Sequence, residues 1–407
     1  MSQSRVSRPF LILALLCCCS YVVYALYFNV IGSSATVMMD YFKISESQQG
    51  FIVTMQSIGA LAATVFLAMW GERYNKITAI VFGLILFASG SVLIGLSPFY
   101  ADAGSGYFVM LFLVLAAGIG FTFVDIMVNG SVADNFKKNQ GTVLSVVHGS
   151  HGLGSMLAPL LVTAIVRPEL ASSFSRPFLF IGVATVVVFV IFALAGKKIT
   201  PFTAYADMTE IKKRVRQNPA EIFKAKESWI LLAAGTFYFA FQIGTSNWLP
   251  TYCRQTLQME YSESGNLLTM FFAGALVMRF INPLLLRRAK PKTLFCLTAI
   301  GSCICMGAAL FTTNIPAVTV LVTISGFLQG AQSIFLVMMG CALFPSRTAS
   351  AAAIVSLAIG VSSLVFPFVM GLVAEAASLT WSLALIVISF LVSALIIYLL
   401  GRKRELG

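Results

Sequence analysis

Two side chains that are normally charged, one acidic and one basic, stand alone within the long apolar stretches of this chain. Asp125 and Arg279 lie in different stretches, near the ends that face the same side. At 1.5 Å per residue, each is about 12 Å below the edge of its apolar stretch. A charge at that depth costs from about 2.5 to more than 10 kcal/mol, so each requires a partner or a wet cavity. The sequence therefore predicts either a permanent ion pair between Asp125 and Arg279 or direct handling of a proton or a bound molecule.

His148 and His151 are the only two histidines in the chain, and they lie in a third apolar stretch. Residues three apart share one face of a helix, so both rings are expected to point the same way. An imidazole titrates near neutral pH and suits a proton relay, while its neutral form can bond hydroxyl groups. The alternative is that both rings fill a glycine-rich packing seam. A metal site would need further ligands and is not predicted.

Other polar side chains within apolar stretches are candidates for binding a small molecule. Amide groups can satisfy hydroxyl groups, and aromatic faces can cover the apolar surface of a solute in a mostly preformed pocket. The alternative for any single amide is a bond between helices, worth about 0.6 kcal/mol. The candidates are Tyr21, Tyr24, Asn29, Asn129, Gln242, Asn247, Trp248, Gln329 and Gln332.

The elements that must position these residues are membrane-spanning helices. The 407 residues are 58% apolar and only 10% charged, with a mean hydropathy of +0.91, which excludes a soluble domain. Apolar stretches of about 20 residues can cross a bilayer core of about 30 Å as helices. The predicted spans, numbered 1 to 12 in chain order, are 9–36, 47–70, 77–97, 107–133, 141–166, 176–196, 229–252, 264–286, 293–312, 316–341, 348–374 and 380–400.

The basic residues predict how these spans are oriented. When the spans cross alternately, 22 of the 27 lysines and arginines fall on one side, four fall on the other, and Arg279 is left inside. Short cytoplasmic loops carry such an excess, so both termini are expected in the cytoplasm, at a bacterial inner (plasma) membrane. The net charge of +12 is explained by this topology and does not indicate nucleic acid as a partner.

The chain divides at its one long connection. Residues 197–228 contain a basic run and are predicted to be a cytoplasmic linker between a six-helix bundle at 1–196 and another, with its tail, at 229–407. Gly152 and Pro159 in span 5 recur as Gly360 and Pro367 in span 11 at the same spacing. This recurrence supports two duplicated, pseudo-symmetric halves.

The turn after span 2 carries the charged pair Glu72 and Arg73. Together with the twelve spans and the basic central linker, it resembles the charged turn of the major facilitator superfamily, although both glycines of the family pattern are displaced or replaced. The resemblance covers the whole chain. It implies an all-α membrane protein with twelve transmembrane helices in two six-helix pseudo-symmetric bundles, the major facilitator fold. It also implies that spans 1, 4, 7 and 10 line the path and that Glu72 and Arg73 form a cytoplasmic gating turn.

A narrower resemblance links Asp125, Asn129 and the run from His148 to Pro159 to the fucose/glucose-type sugar–proton symporters. It implies a secondary transporter, not an enzyme, that carries a small polar solute such as a sugar with a proton by alternating access. Asp125 and either histidine would take the proton, and Arg279 would neutralise Asp125 in one state and release it in another. A glutamate that the family often has in span 7 corresponds to Gln242 here.

Two other functions stay open. Glycines before the proline of span 5 also occur in antiporters of the superfamily, which export drugs or metabolites. A receptor or scaffold that does not transport could share the fold. The sequence contains no phosphate-cradling loop, nucleophile elbow or zinc helix, so we expect no cofactor and an ion or solute gradient as the energy source. The expected partners are a small-molecule solute, a coupling proton and the lipid bilayer, with the protein as a monomer.

Overall fold

The computed structural model describes residues 8–70, 74–101, 103–136, 140–203, 219–344 and 348–403. Nearly all of these residues are helical, and the turns between helices are short. The all-α fold with twelve spans is confirmed. In chain order the spans are Arg8–Ser33 (followed by the short helix Ala35–Phe42), Glu46–Trp70, Lys76–Leu96, Ala103–Asn135, Gln140–Ile165, Ser175–Thr203, Lys226–Gln255, Tyr261–Leu285, Pro291–Leu310, Ile315–Gln329 with Gln332–Leu343, Thr348–Ala376 and Leu379–Lys403.

Span 5 differs from the other spans in its hydropathy. Within the described ranges, 11 helices are long and apolar enough to cross a membrane, and span 5 is not among them. Its helix is nevertheless 26 residues long, enough for about 39 Å at 1.5 Å per residue. His148, His151 and several glycines lower its hydropathy, because this helix carries polar groups into the membrane where the two halves meet.

Each half has its own hydrophobic core. One core is built from residues of spans 1 to 6, joined by Tyr261, and the other from residues 222–397. Span 6 continues as a helix to Thr203, past the predicted start of the linker. Residues 204–218 of the predicted linker lie outside the described part of the chain, so the domain limits stay predictions.

The two halves repeat one mode of close packing. Gly59 of span 2 and Gly118 of span 4 each lie against a backbone carbonyl of the other span. Gly274 of span 8 and Gly326 of span 10 make the equivalent contacts in the second half. A side chain at any of these positions would collide with backbone, so small residues set the distance between the helices. The pseudo-symmetric arrangement of the halves thus extends to individual contacts.

The halves are packed tightly together at the end remote from the termini. The backbone N–H of Ser47 donates to the Glu375 carboxylate at 2.7 Å, which ties the start of span 2 to the end of span 11. Gly50 of span 2 lies directly against the backbone of Pro367. Among the described residues, the hydrogen bonds between the halves lie toward the end remote from the termini. Gly149, in the part of span 5 nearer the termini, has no atom within 4 Å of the place a side chain would occupy. These observations indicate that the space between the halves opens toward the end that carries the termini.

Gly50→Val is expected to hold the packed end open. A β-carbon at Gly50 would collide with the Pro367 backbone, which cannot move aside, so only the conformation with this end apart can accept valine. A cysteine introduced at Ser33, which is 5% exposed, should then react with a membrane-impermeant maleimide at least about tenfold faster. Gly149→Val, in open space, is the control and should leave the rate unchanged. Equal labelling of both variants would contradict the expected clash.

Candidate functional site

Asp125 lies at the centre of a polar cluster between spans 1 and 4. The Tyr21 hydroxyl donates to Asp125 Oδ1 in a short hydrogen bond. Asn129 Nδ2, one turn along the same helix, donates to the Tyr21 hydroxyl at 2.8 Å and to Asp125 Oδ1 at 3.3 Å. Asn129 also caps the Asp125 backbone carbonyl at 2.9 Å. The three residues, all predicted from the sequence, thus form one network that solvates a carboxylate inside the membrane.

The two histidines border this network on span 5. The His148 ring meets the Tyr21 ring edge-on with centroids 5.3 Å apart, and the His151 ring meets Tyr24 in the same way at 5.1 Å. His148 is exposed to the open space between the halves, whereas His151 is half-buried. His148 is also close enough to Asp125 and to Arg279 to interact electrostatically with both. It is therefore within electrostatic range of both the acidic and the basic group of the site.

Arg279 finds its protein partner at a break in span 10. The helix stops at Gln329 and restarts at Gln332, and the Ile334 N–H bonds the Ala331 carbonyl at 3.1 Å, leaving the Gly330 carbonyl free of the helix. Arg279 Nε donates to that carbonyl at 3.1 Å. Among the described residues, Asp125 and Arg279 form no ion pair, since each has these other partners. The permanent bridge between them is therefore not formed in this conformation.

Gly152 of span 5 leaves room for the end of the Arg279 side chain. A β-carbon at this position would lie 2.9 Å from Arg279 Nη1. The guanidinium of the second half thus rests against a helix of the first half. This contact was not anticipated, although Gly152 stands in the glycine run that follows the histidines.

Gly152→Leu is expected to lower solute accumulation by about tenfold or more, because its branched side chain must push the guanidinium off the Gly330 carbonyl. Gly152→Ala should have a small effect, since the atom it meets is the far end of a flexible side chain. Gly149→Leu, one turn nearer the open end, meets empty space and serves as the control. Accumulation in vesicles checks the series, and equal losses from both leucine variants would contradict the proposed displacement.

A second chain of hydrogen bonds crosses between the halves. Ser246 Oγ of span 7 donates to Asn29 Oδ1 at 2.6 Å, and Asn29 Nδ2 donates to Ser155 Oγ at 3.1 Å. Ser155 Oγ is 3.5 Å from His151 Nδ1. Asn29 was predicted, but both serines were missed, because serine is common in apolar helices. The only signal was the position of Ser155, one turn after His151.

In the second half, Tyr238 organises the amides of spans 7 and 10. Its hydroxyl lies 3.2 Å from Gln242 Oε1 and 3.3 Å from Gln329 Oε1, and can donate to either. Tyr238 is also within electrostatic range of Arg279. Tyr238 was not among the predicted residues, although it precedes Gln242 by one helical turn and shares its face.

Three predicted residues do not join these clusters in the structure. Gln332 donates to Thr298 Oγ1 of span 9 at 2.7 Å, because the break in span 10 rotates it away from the face of Gln329. The role of Gln332 in binding a solute stays a prediction. Trp248 is 2% exposed and belongs to the hydrophobic core of the second half. Asn247 is buried and bonds a carbonyl of its own helix at 2.9 Å, with its backbone against Gly32.

Glu72 and Arg73, the predicted gating turn, lie outside the described residues. The role assigned to them stays a prediction.

Comparisons with known proteins agree with this architecture. The chain is 24% identical over 367 residues to the inner membrane transport protein YdiM of Escherichia coli (strain K12), covering 87% of this chain and 85% of that protein. It is 23% identical over 340 residues to a Helicobacter pylori (strain J99) protein provisionally named a glucose/galactose transporter, covering 77% and 78%. The crystal structure of a D-xylose-proton symporter superposes with a TM-score of 0.79 at 14% identity, covering 96% of this chain and 97% of that one.

The sequence profile of the Major Facilitator Superfamily matches residues 17–339 and 255–407, which together extend over almost the whole chain. The resemblance of the whole chain to this superfamily is confirmed by this match. The chain is thus a multi-pass integral membrane protein, and it belongs to the Major Facilitator Superfamily of transporters.

Proposed function

We propose that this transporter carries a small polar solute, such as a sugar, together with a proton by alternating access. The observation that carries the proposal is the Asp125 carboxylate, held by Tyr21 and Asn129 and bordered by the exposed His148. A protonatable group that meets both the protein network and the open space is what coupling to a proton requires. The names of the E. coli and H. pylori relatives add support for transport at an inner membrane and for a sugar-like solute.

The proton would reach Asp125 through His148, the side chain that meets solvent. With Asp125 charged, Tyr21 and Asn129 both donate to the same oxygen, Oδ1. A proton on the carboxyl group turns an acceptor into a donor, so the network must rearrange when the proton binds. Through this rearrangement, protonation of Asp125 would change the contacts of Tyr21. Tyr21 lies on span 1, which also carries Asn29.

The solute would bind between the halves, beside this network. Tyr24 and Phe121 are stacked with centroids 4.7 Å apart and offer an aromatic face. Gln242, which is half-buried, offers an amide from the other half for a hydroxyl group. Gln329 is 1% exposed and would have to move to reach the solute. The remaining candidates on the first half are Tyr21, Asn29 and Asn129.

Alternation would consist of rocking one half against the other. The charge distribution, with 22 basic residues on the side of the termini, supports assigning the packed end to the outside and the open end to the cytoplasm. Opening the packed end would break the Ser47–Glu375 bond and separate Ser246 from Asn29. Because Asn29 is linked through Ser155 toward His151, the same motion would change the surroundings of the site.

The test is the internal pH of vesicles that contain the purified protein and a trapped dye. Sugars and sugar acids, and then cationic drugs, are added outside without an imposed gradient. Acidification with a sugar or a sugar acid is the expected result, because a proton would enter with the solute. Alkalinisation with drugs would instead indicate antiport, and an unchanged pH with every compound would contradict proton coupling and favour a receptor or a facilitator.

A further inference from the structure

Arg279 presents the end of its guanidinium to the space between the halves. Its Nε is engaged by the Gly330 carbonyl at 3.1 Å, and Nη1 lies beside Gly152. In the described part of the chain, neither Nη group has a protein acceptor. The side chain is only half-buried, so its free N–H groups face the open space.

The nearest protein anion does not serve Arg279 as a counter-ion. Among the described residues Asp125 is occupied by Tyr21 and Asn129 and forms no ion pair with the guanidinium, and His148 is within electrostatic range of both groups. A planar guanidinium with free N–H groups matches the two oxygens of a carboxylate, which it can bind through paired hydrogen bonds. The unpaired end of Arg279 is therefore a site for an anionic group supplied from outside the protein.

We infer that the transported solute carries one carboxylate, that Arg279 binds it, and that it moves with one proton in an electroneutral cycle. This inference rests on the proposed function and names its substrate class. The amide of Gln242, half-buried beside Tyr238 in the same half, would take a hydroxyl group of the solute. The class is thus a hydroxylated monocarboxylic acid, such as a sugar acid, in place of a neutral sugar.

The charges of the site argue for such a solute. The other ionisable groups of the site are the phenols of Tyr21, Tyr24 and Tyr238 and the imidazoles of His148 and His151. A protonated phenol and an imidazole with one N–H add no charge. The empty site then contains one negative and one positive group and is neutral. A proton on Asp125 together with a neutral sugar would leave a net positive charge, whereas a proton together with a monocarboxylate restores neutrality.

This balance also explains coupling. During alternation the site is closed at both ends, and a net charge in that enclosed state has to be buried without a counter-ion. The empty and the fully loaded carrier are both neutral and can change conformation. When only the proton or only the anion is bound, the site has a net charge, so the change of conformation is disfavoured. The two charged side chains are therefore sufficient to require that the proton and the anion cross the membrane together.

Binding is tested first with matched compounds that differ in one group. Galacturonate and galactose, and glucuronate and glucose, share a ring and differ by a carboxylate, and glycerate and glycerol form a shorter pair. The acid of at least one pair should stabilise the purified full-length protein against thermal unfolding at concentrations about tenfold lower than its neutral partner. Arg279→Gln should remove this preference, while Arg288→Gln, an exposed arginine near the end of span 8, should preserve it. Equal or stronger effects of the neutral compounds, or none from any acid, would overturn the inference.

Vesicle assays then separate this inference from the proposed function. The acid that binds should acidify the vesicle interior, and a potassium potential set with valinomycin should leave the initial rate unchanged within about twofold. Acidification by neutral sugars alone, driven by the potential, would overturn the inference and leave proton symport intact. Binding of an acid with no pH change would instead overturn proton symport and the electroneutral cycle with it.

Discussion

Asp125→Asn is expected to abolish accumulation of the solute against its gradient and to leave exchange across the membrane intact. Asparagine has nearly the same shape and can still accept from Tyr21 and Asn129, so the local packing is preserved. The asparagine amide does not bind a proton near neutral pH, so the proton gradient can no longer drive accumulation of the solute. We expect accumulation to fall by about 100-fold or more, to the level of equilibration.

The measurement compares accumulation under a proton gradient with counterflow in vesicles preloaded with solute. Asp40→Asn is the matched control, because Asp40 is an exposed carboxylate on the short helix that follows span 1. It should retain both activities. Accumulation by Asp125→Asn at the level of the unaltered protein would remove Asp125 from the proton path, and loss of counterflow as well would assign it to solute binding.

Arg279→Gln is expected to reduce both accumulation and counterflow by about 100-fold. The substitution removes the donor to the Gly330 carbonyl, which the break in span 10 leaves without a helical partner. It also leaves Asp125 as an uncompensated charge within the membrane, which disfavours the enclosed state. Arg279→Lys keeps the charge but loses the planar fork, so it should retain only part of the activity.

The double variant Asp125→Asn with Arg279→Gln distinguishes two hypotheses. In one, the two charges only neutralise each other; in the other, Arg279 binds the solute. If the two charges only neutralise each other, as in the permanent-bridge hypothesis, removing both should restore counterflow toward that of Asp125→Asn alone. If Arg279 binds the solute, the double variant should be as inactive as Arg279→Gln. Thermal unfolding of each purified variant shows whether the fold survives, and restored counterflow would contradict a direct role of Arg279.

The sequence alone located most of the residues that form the site. Asp125 and Arg279 could be found because a charge inside an apolar stretch is costly and rare, and the histidines because the chain has only two. Asn129 was placed beside Asp125 by helical periodicity, and the structure has them in one network. The absence of an Asp125–Arg279 pair among the described residues could not be predicted, since equal depth does not define which way a helix is turned.

The break in span 10 shows what only the tertiary structure decided. Gly330 gives no local signal of a break, because glycine is common in transmembrane helices, yet the interruption supplies the acceptor for Arg279 and turns Gln332 toward span 9. A related reason explains why the sequence did not indicate Tyr238, Ser155 and Ser246. The hydrogen bonds of each side chain depend on which helix it faces.

Hydropathy and charge thus determined the number of spans, their predicted orientation and the depth of each polar residue, because transfer from water to lipid depends on composition along the chain. The rotation of each helix about its own axis and the partners of its polar groups were decided by packing between helices. Lipid is as apolar as the helices themselves, so that packing depends on how small and polar side chains fit together across the assembled bundle.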